Sequence, residues 1–280
     1  MTDVAGSDVT PPGAWHGGQI TARAYCVLAP NPGPMTLDGT NTWVLLEPGS
    51  TEAVVVDPGP DDEHHLRAVL SVVEGLGARV ATTLLTHGHA DHSAGASRFA
   101  QLSGSGVRAL DPVQRFGSEG LGEGDVLAAG GLDLRVVATP GHTSDSLSFV
   151  VPGDSAVLTG DTVLGRGTTV VAHPDGRLDD YLESLDRLRH LAARGAVTTV
   201  LPGHGPSLSH AQQAVEHYLA HRQQRLRQVH SAVLTGATTA RAVVERVYAD
   251  VDRTLWPAAE LSVRAQLDYL RETGDPALRD

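Results

Sequence analysis

The stretch LLTHGHADHSAG at residues 84–95 constrains this chain more than any other part of its sequence. It overlaps the end of an apolar run, VATTLLT, which predicts a buried strand that ends at the histidines. Side chains two positions apart in an extended segment point the same way, so His87 and His89 can converge on one point. Asp91 and His92 follow at the start of a helix, and their side chains can point to a second position nearby. Because one metal ion needs about four ligands, this division of the four residues suggests two ions.

Three more residues of metal-ligand type occur at predicted strand ends further along the chain. They are His142 in ATPGHTSDS, Asp161 in VLTGDT and His204 in VLPGHGP. Imidazole and carboxylate groups without a thiolate suit zinc, iron or manganese in a hydrolytic site. The Asp161 carboxylate can bridge two cations, with one oxygen on each. A lone histidine after a strand is usually an ordinary polar residue, but the repetition at successive strand ends favours a metal centre.

Apolar segments rich in β-branched residues recur through the first part of the chain, and each ends in a turn-forming residue. The predicted strands are 24–30, 40–47, 53–57, 80–87, 133–140, 147–152, 155–162 and 198–204. Amphipathic patterns predict helices over 61–74 and 178–195. The first of these places His64 and His65 among acids in its first turn, which predicts that both are surface residues. Strands that alternate with helices indicate an α/β architecture.

The pattern after residue 208 is almost purely helical, with three amphipathic segments. The second can begin at an N-cap Thr238 or Thr239, and the third begins at Pro257 and ends at Gly274. The sequence therefore predicts an α/β domain over 20–208 and a small all-α domain over 209–280.

Residues 1–19 are interpreted as a flexible leader, because acids, prolines and glycines stand where a signal peptide would have a basic start and an apolar middle. The single cysteine, Cys26, excludes an intramolecular disulfide and agrees with a reducing compartment. No apolar stretch approaches the roughly 20 residues that span a bilayer. A cytoplasmic protein without a membrane partner is expected, and its oligomeric state is left open.

The order HxHxDH, then an isolated His, an Asp and a final His, resembles the metallo-β-lactamase superfamily over about residues 20–208. The resemblance implies an αββα sandwich with a dinuclear centre at one edge. By motif, the first metal would be bound by His87, His89 and His142, and the second by Asp91, His92 and His204, with Asp161 bridging. A residue of the His92 type and an aspartate at 161 are typical of glyoxalase II-like and ribonuclease Z-like enzymes rather than of true β-lactamases.

Four further segments are similar to the β-lactamase-like endoribonuclease subfamily, whose members end in a winged-helix-like domain. They are NPGPMTLDGTNTWVL (31–45), VDPG (56–59), GDTVLGRGTT (160–169) and PGHGP (202–206). This chain stops soon after its third C-terminal helix, so the wing looks absent or rudimentary and the domain is interpreted as truncated and all-α. Fungal polyketide thioesterases share the same layout. The sequence therefore favours a phosphodiesterase of endoribonuclease type, with a glyoxalase II-like thioester hydrolase as the alternative.

Two divalent cations, zinc first and manganese or iron next, would share a water molecule and lower its pKa, and the resulting bridging hydroxide would attack the substrate. Asp91 is the candidate both to bind metal and to hold or relay a proton. Asp57 in VVVDPG is interpreted either as a hydrogen-bond acceptor that supports the ligand loop or as a simple turn. Candidate substrate contacts are Asn41, Arg166, Thr168, Thr169 and His173.

The charge distribution bears on the choice between a single-stranded RNA and a small thioester as the substrate. The net charge is −12 and aromatic residues make up 4% of the chain, which disfavours nonspecific and stacking-based RNA binding. The first C-terminal helix is nevertheless basic in its middle, through Arg222, Arg225 and Arg227 with histidines nearby. This cluster is interpreted as a solvated helix face or, alternatively, as a patch that guides a phosphate-bearing substrate.

Overall fold

The computed structural model describes residues 14–117 and 119–274, and two β-sheets form its centre. The strands of the first sheet, which pair in chain order, are β1 (Gly18–Gln19), β2 (Ala24–Leu28), β3 (Asn41–Leu46), β4 (Glu52–Val56), β5 (Arg79–Leu84) and β6 (Val107–Arg108). β1 to β4 pair antiparallel, whereas β4, β5 and β6 run parallel. The connections carry α1 (Glu63–Gly75), α2 (Ala90–Ser93) and α3 (Ala96–Ser103).

The second sheet is antiparallel except at one edge. Its strands are β7 (Val126–Ala129), β8 (Leu132–Ala138), β9 (Leu147–Val151), β10 (Ala156–Gly160) and β11 (Thr199–Pro202). They pair in the order β11-β10-β9-β8-β7, and β10 and β11 are parallel because α4 (Leu178–Ala193) crosses over between them.

The main core lies between the two sheets. Trp43 and Leu45 on β3 point into it, together with Leu134 and Phe149 from the second sheet. The intervening Val44 points the other way and packs under α1 and α3, as the period of two in a strand requires. On the opposite side, α4 and the first C-terminal helix cover the second sheet through a separate apolar cluster. The result is the four-layer αββα sandwich with both sheets covered.

The C-terminal part consists of α5 (Ala211–Leu234), α6 (Ala240–Val247) and α7 (Trp256–Glu272). These helices pack around a core of their own that includes Val229, Val243, Trp256 and Val263. Thr239 caps α6, since its side chain accepts a hydrogen bond from the backbone N–H of Ala242. Within the described range after β11 there is no strand, so this part of the chain is all-α as predicted.

Several local predictions differ from the structure. Gly18–Gln19 pair with β2, so ordered structure begins before the predicted boundary at residue 20, while residues 1–13 of the predicted leader lie outside the described residues. His65 is 2% exposed rather than a surface residue, and its Nε2 lies 2.9 Å from the Thr42 hydroxyl. Among the described residues, every helix is too short or too polar to span a bilayer.

Candidate metal centre

Four strand ends deliver the seven predicted ligands to one edge of the sandwich. The turn after β5 carries His87 and His89, and α2 carries the next two residues of the motif. His142 follows β8, Asp161 follows β10 and His204 follows β11. β5 of the first sheet and β10 and β11 of the second are parallel strands that end here, and the carboxyl ends of parallel strands are where α/β folds collect functional side chains.

The seven residues form two adjacent groups. In the first, His89 Nδ1 lies 3.2 Å from His87 Nε2 and 3.0 Å from His142 Nε2. In the second, His204 Nε2 lies 3.2 Å from His92 Nε2 and 3.1 Å from Asp91 Oδ2. In each group the potential ligand atoms all lie within 4.8 Å of one another. Each group therefore has the compact arrangement of donor atoms that a single cation requires.

The Asp161 carboxylate lies between the two groups. Its Oδ2 is 3.7 Å from His142 Nε2 in the first group and 3.4 Å from His204 Nε2 in the second, while its Oδ1 is 3.4 Å from His92 Nε2. Oδ1 is buried and has no hydrogen-bond partner among the described residues. A buried carboxylate oxygen without a donor is costly unless a cation binds it. The donor set therefore fits metal ions, and Asp161 is placed to touch both.

The inward-facing nitrogens are fixed by hydrogen bonds behind the rings. His142 Nδ1 lies 2.6 Å from the carbonyl of Val170, and His204 Nδ1 lies 3.1 Å from the carbonyl of Gly39. Because a carbonyl oxygen only accepts, each ring carries a proton on Nδ1 and turns Nε2 towards the centre.

Asp57, behind the site, also orients metal-binding histidines through hydrogen bonds to the ligand loop. Its Oδ1 accepts from the Thr86 backbone N–H at 2.7 Å, and its Oδ2 accepts from the Thr86 hydroxyl at 2.6 Å and from His92 Nδ1 at 2.9 Å. The Thr86 hydroxyl has thereby used its proton, so it accepts from His87 Nδ1, 2.9 Å away. One buried carboxylate thus orients a histidine of each group. The ligand motif itself does not indicate Thr86, although its position directly before His87 is a signal in the sequence.

The electrostatics of the two groups differ. Burial lowers the pKa of His87 and His142, which keeps these imidazoles neutral and able to bind a cation. Burial alone would also lower the pKa of His204, but the Asp161 and Asp91 carboxylates outweigh it and raise that pKa to about 9. Burial alone would raise the pKa of Asp91, whereas its hydrogen bond with His204 and the charge of His92 lower it to about 2. Protons on the second group therefore balance the carboxylates, and a divalent cation can replace that positive charge.

Backbone hydrogen bonds hold the loop of His204 against the rest of the site. Gly203 N donates to Gly160 O at 2.8 Å, and its carbonyl accepts from Asn41 N at 2.8 Å. A Cβ on Gly203 would lie 2.5 Å from Asp161 Oδ1 and 2.7 Å from His92 Cε1. The absence of a side chain at this position leaves the space in which both groups meet.

We expect Gly203→Ala to weaken metal binding by at least about tenfold, because the added methyl group pushes Asp161 and His92 away from their positions. Metal content after dialysis against a weak chelator measures this effect. Gly75→Ala at the end of α1 is the matched control, since its Cβ would meet nothing within 4 Å. Equal metal content in both variants would contradict the prediction.

The predicted substrate contacts separate into two sets. Arg166, Thr168 and Thr169 line a cavity that also reaches His142 and Asp161. Arg166 pairs with Asp38 there.

Asn41 and His173 are placed differently from the prediction. Asn41 is fully buried, and its amide donates to the carbonyls of Pro202 and Gly205 at 2.9 and 2.8 Å, so it braces the His204 loop and is not available to a substrate. His173 lies outside the cavity and faces Asp268 on α7, with Nε2 3.0 Å from Oδ2. Neither arrangement fits a substrate contact.

Comparison with known proteins shows the family of this chain. The sequence profile of the metallo-β-lactamase superfamily matches residues 35–204, more than half of the chain, and includes all seven predicted ligands. The chain belongs to the metallo-β-lactamase superfamily. A second profile, that of the β-lactamase-associated winged helix domain, matches residues 239–275. The chain is thus a superfamily hydrolase domain followed by a helical winged-helix domain.

Relatives within the superfamily carry different names. A β-lactamase-like protein 2 homolog from Caenorhabditis elegans is 31% identical over 256 residues, which cover 89% of this chain and 84% of that protein. An atrochrysone carboxyl ACP thioesterase from Aspergillus fumigatus is 32% identical over 75% of this chain and 64% of that protein. The crystal structure of a metallo-β-lactamase family protein from Thermus thermophilus superposes with a TM-score of 0.74 at 25% identity, covering 90% of this chain and 94% of that one.

Proposed function

We propose that this protein hydrolyses a small thioester at a centre of two divalent cations. The observation that carries the proposal is a cavity of about 330 Å³ that begins at His142 and Asp161 and extends between the α/β sandwich and the C-terminal helices. The sequence alone favours an RNA phosphodiesterase over a thioester hydrolase. The apolar part of this cavity's lining supports the thioester instead.

About half of the residues that line the cavity have apolar side chains. On the sandwich side these include Met35, Leu37 and Leu164, and on the helical side they include Val251 and Leu255. Such a lining lowers the free energy of an acyl chain by removing its methylene groups from water, at about 0.8 kcal/mol for each. A single-stranded polynucleotide would instead require several aromatic side chains for base stacking, whereas Tyr248 is the single Phe, Tyr or Trp among the described residues that line the cavity, and the net charge of −12 opposes RNA binding. The C-terminal helices thus act as one wall of an acyl pocket.

The same residues that the motif implies would hold the two cations. The first ion would be bound by His87, His89 and His142, the second by Asp91, His92 and His204, and Asp161 would bridge them. Imidazole and carboxylate donors favour zinc, with manganese and iron as the alternatives. When bound, such ions supply Lewis acidity towards a carbonyl oxygen and make a water molecule nucleophilic near neutral pH.

The protein's own residues handle protons and orientation. Asp91 is the most exposed carboxylate of the centre, at 29% of its side chain. Its Oδ2 faces His204 and would bind metal, which leaves Oδ1 to take a proton from the attacking water and exchange it with solvent. A thiol leaving group has a pKa near that of cysteine, about 8.5, and departs as a thiolate with little help from an acid. This chemistry requires no acid at the position of His173, which agrees with the placement of that side chain away from the cavity.

The relative from Aspergillus fumigatus that is named a thioesterase supports the same chemistry, although this chain covers 64% of its length. Its name specifies an acyl group attached to a carrier protein. We infer for this chain the bond type alone, a thioester, because the residues that line the acyl cavity come largely from loops and from the C-terminal helices.

A paired turnover assay tests the proposal. Zinc- and manganese-loaded protein is given acyl-CoA, N-acetylcysteamine and glutathione thioesters and, separately, a short single-stranded RNA. We expect thioester hydrolysis that Asp91→Ala lowers by at least about a hundredfold, because the variant loses a metal donor and the group that accepts the proton. RNA cleavage that the variant abolishes, without thioester turnover, would overturn the proposal and assign the protein to the phosphodiesterases.

A further inference from the structure

One turn of α5 places three basic side chains on the wall of the acyl cavity. His221, Arg222 and Arg225 all line it. Arg225 lies four residues after His221 and three after Arg222, which puts it on the same helix face as both. The interpretation of this cluster as a solvated face is wrong for Arg222, which is 6% exposed. By contrast, Arg227 on the same helix is exposed and lies outside the cavity.

The Arg222 guanidinium is buried without an anion. It donates from Nη2 to the carbonyl of Thr169 and lies over the ring of Tyr181, 4.9 Å from the ring centroid. Its Nε is buried and has no hydrogen-bond partner, and no carboxylate of the described residues lies within 4 Å of the guanidinium. A desolvated charge in this state raises the free energy of the folded protein unless a ligand supplies the missing partner.

Arg225 and His221 extend the same wall. The Arg225 guanidinium lies 4.6 Å from the centroid of the Tyr248 ring and donates to the carbonyl of Val247 at 2.9 Å, and no carboxylate of a described residue pairs with it. His221 Nδ1 is buried and has no hydrogen-bond partner among the described residues. Burial and the charge of Arg222 lower the pKa of His221 to about 4, so this ring is neutral and can donate one hydrogen bond. The cavity therefore has two cations and a neutral donor on one side.

In the described part of the chain, the opposite wall of the cavity does not carry an arginine without an acidic partner. Arg166 also lines the cavity, but Asp38 neutralises it. The unpaired positive charge is thus confined to α5. This positive charge is also close to the metal-binding residues. Thr169 links the two, because its carbonyl accepts a hydrogen bond from Arg222 and its hydroxyl lies 3.3 Å from His142 Nδ1.

We propose that His221, Arg222 and Arg225 form a recognition subsite for an anionic group of the substrate, separated from the thioester carbonyl by a short apolar chain. This rests on the proposed function. A planar guanidinium binds a carboxylate or a phosphate through two parallel hydrogen bonds, and the apolar lining accommodates the chain between the two ends. The anion can be a carboxylate on the acyl group or a phosphate on the thiol arm, and both present the same chemistry to the subsite.

Matched substrates distinguish the two sources. Glutaryl-CoA and pentanoyl-CoA differ by a terminal carboxylate at equal chain length, and the corresponding N-acetylcysteamine thioesters lack the phosphates of CoA. In the wild type we expect a higher kcat/KM either for glutaryl than for pentanoyl thioesters or for CoA than for N-acetylcysteamine thioesters. The difference should be at least about tenfold, equivalent to 1.4 kcal/mol. In Arg222→Met the two substrates should have about the same kcat/KM. Loss of the glutaryl preference identifies an acyl carboxylate, and loss of the CoA preference identifies a phosphate.

Two further variants make the result independent of folding defects. Arg225→Gln removes the half-buried member of the subsite and should reduce the same preference if Arg222→Met does not fold. Arg227→Gln removes an exposed charge from the same helix and should leave the preference unchanged. A preference that is absent in the wild type, or equal in all variants, would overturn the proposal.

A binding measurement separates this proposal from the proposed function. Glutarate and inorganic phosphate are titrated into the metal-loaded protein, and the shift in Tm is compared between wild type and Arg222→Met. A Tm rise in the wild type that the variant loses supports the subsite even if no thioester is hydrolysed, in which case the proposed function fails alone. Thioester hydrolysis without a preference and without a Tm shift leaves the function standing and overturns the subsite.

Discussion

Replacing Asp161 by Asn should lower hydrolysis by at least about a thousandfold, or about 4 kcal/mol in the barrier, and should reduce the metal content of the purified protein. The reason is the position of this carboxylate, which approaches His142 in one group and His92 and His204 in the other. The amide keeps the volume of the side chain but loses the negative charge and one acceptor oxygen. Each of the two proposed cations would therefore lose a donor in a single substitution.

Elemental analysis and turnover on the same preparation measure the two effects together. Asp133→Asn is the matched control, because it makes the same chemical change on an exposed position of β8 in the same sheet. Circular dichroism checks that both variants are folded. If Asp161→Asn retained the full metal content and activity of the control, Asp161 would not be a shared ligand and the assignment of two ions around it would fail.

Much of the fold could be predicted because its signals are local. The eight predicted strands occur, and so do the helices predicted over 61–74, from Asp91, over 178–195 and in three segments after residue 208, most with bounds within a few residues of those observed. The missed elements lack such signals. β1 and β6 have two residues each, and β7 follows a glycine-rich segment with exposed side chains. Their positions depend on pairing and packing with partners that are distant in the chain.

The candidate site shows the same division. That the seven predicted ligands lie together could be predicted because five of them follow a strand within a few residues and the other two lie on α2 just after β5, so that sequence position and position at the sheet edge coincide. The roles of Asn41 and Arg222 could not, since both depend on contacts with residues more than 50 positions away. A buried arginine and an exposed one look alike on an amphipathic helix until the packing of that helix is known. Recognition of the substrate is therefore the part of the function that local pattern predicts least.

Removing the Asp57 carboxylate should weaken metal binding by about 10–100-fold, the usual effect of losing a group that orients a metal-binding histidine. Asp57 is 1% exposed and accepts hydrogen bonds from His92 Nδ1 and from both the backbone and the hydroxyl of Thr86. Without it, the Nδ1 proton of His92 and the Thr86 hydroxyl lose their acceptor, and both groups of ligands can rotate. Competition with a chelator of known affinity measures the change.

The conformation of Asp57 allows this role to be separated from that of a turn. Its φ of 52° lies in the left-handed region, which glycine adopts without strain, so Asp57→Gly preserves the turn and removes the carboxylate. Asp62→Ala is the control, because it removes the N-cap of α1 at a cost of about 1 kcal/mol in unfolding free energy without touching a metal-binding histidine. If Asp57→Gly bound metal as tightly as Asp62→Ala, Asp57 would be a turn residue alone. If Asp57→Gly bound metal more weakly and still unfolded cooperatively, the role of Asp57 would be to hold His92 in place and, through Thr86, His87 as well.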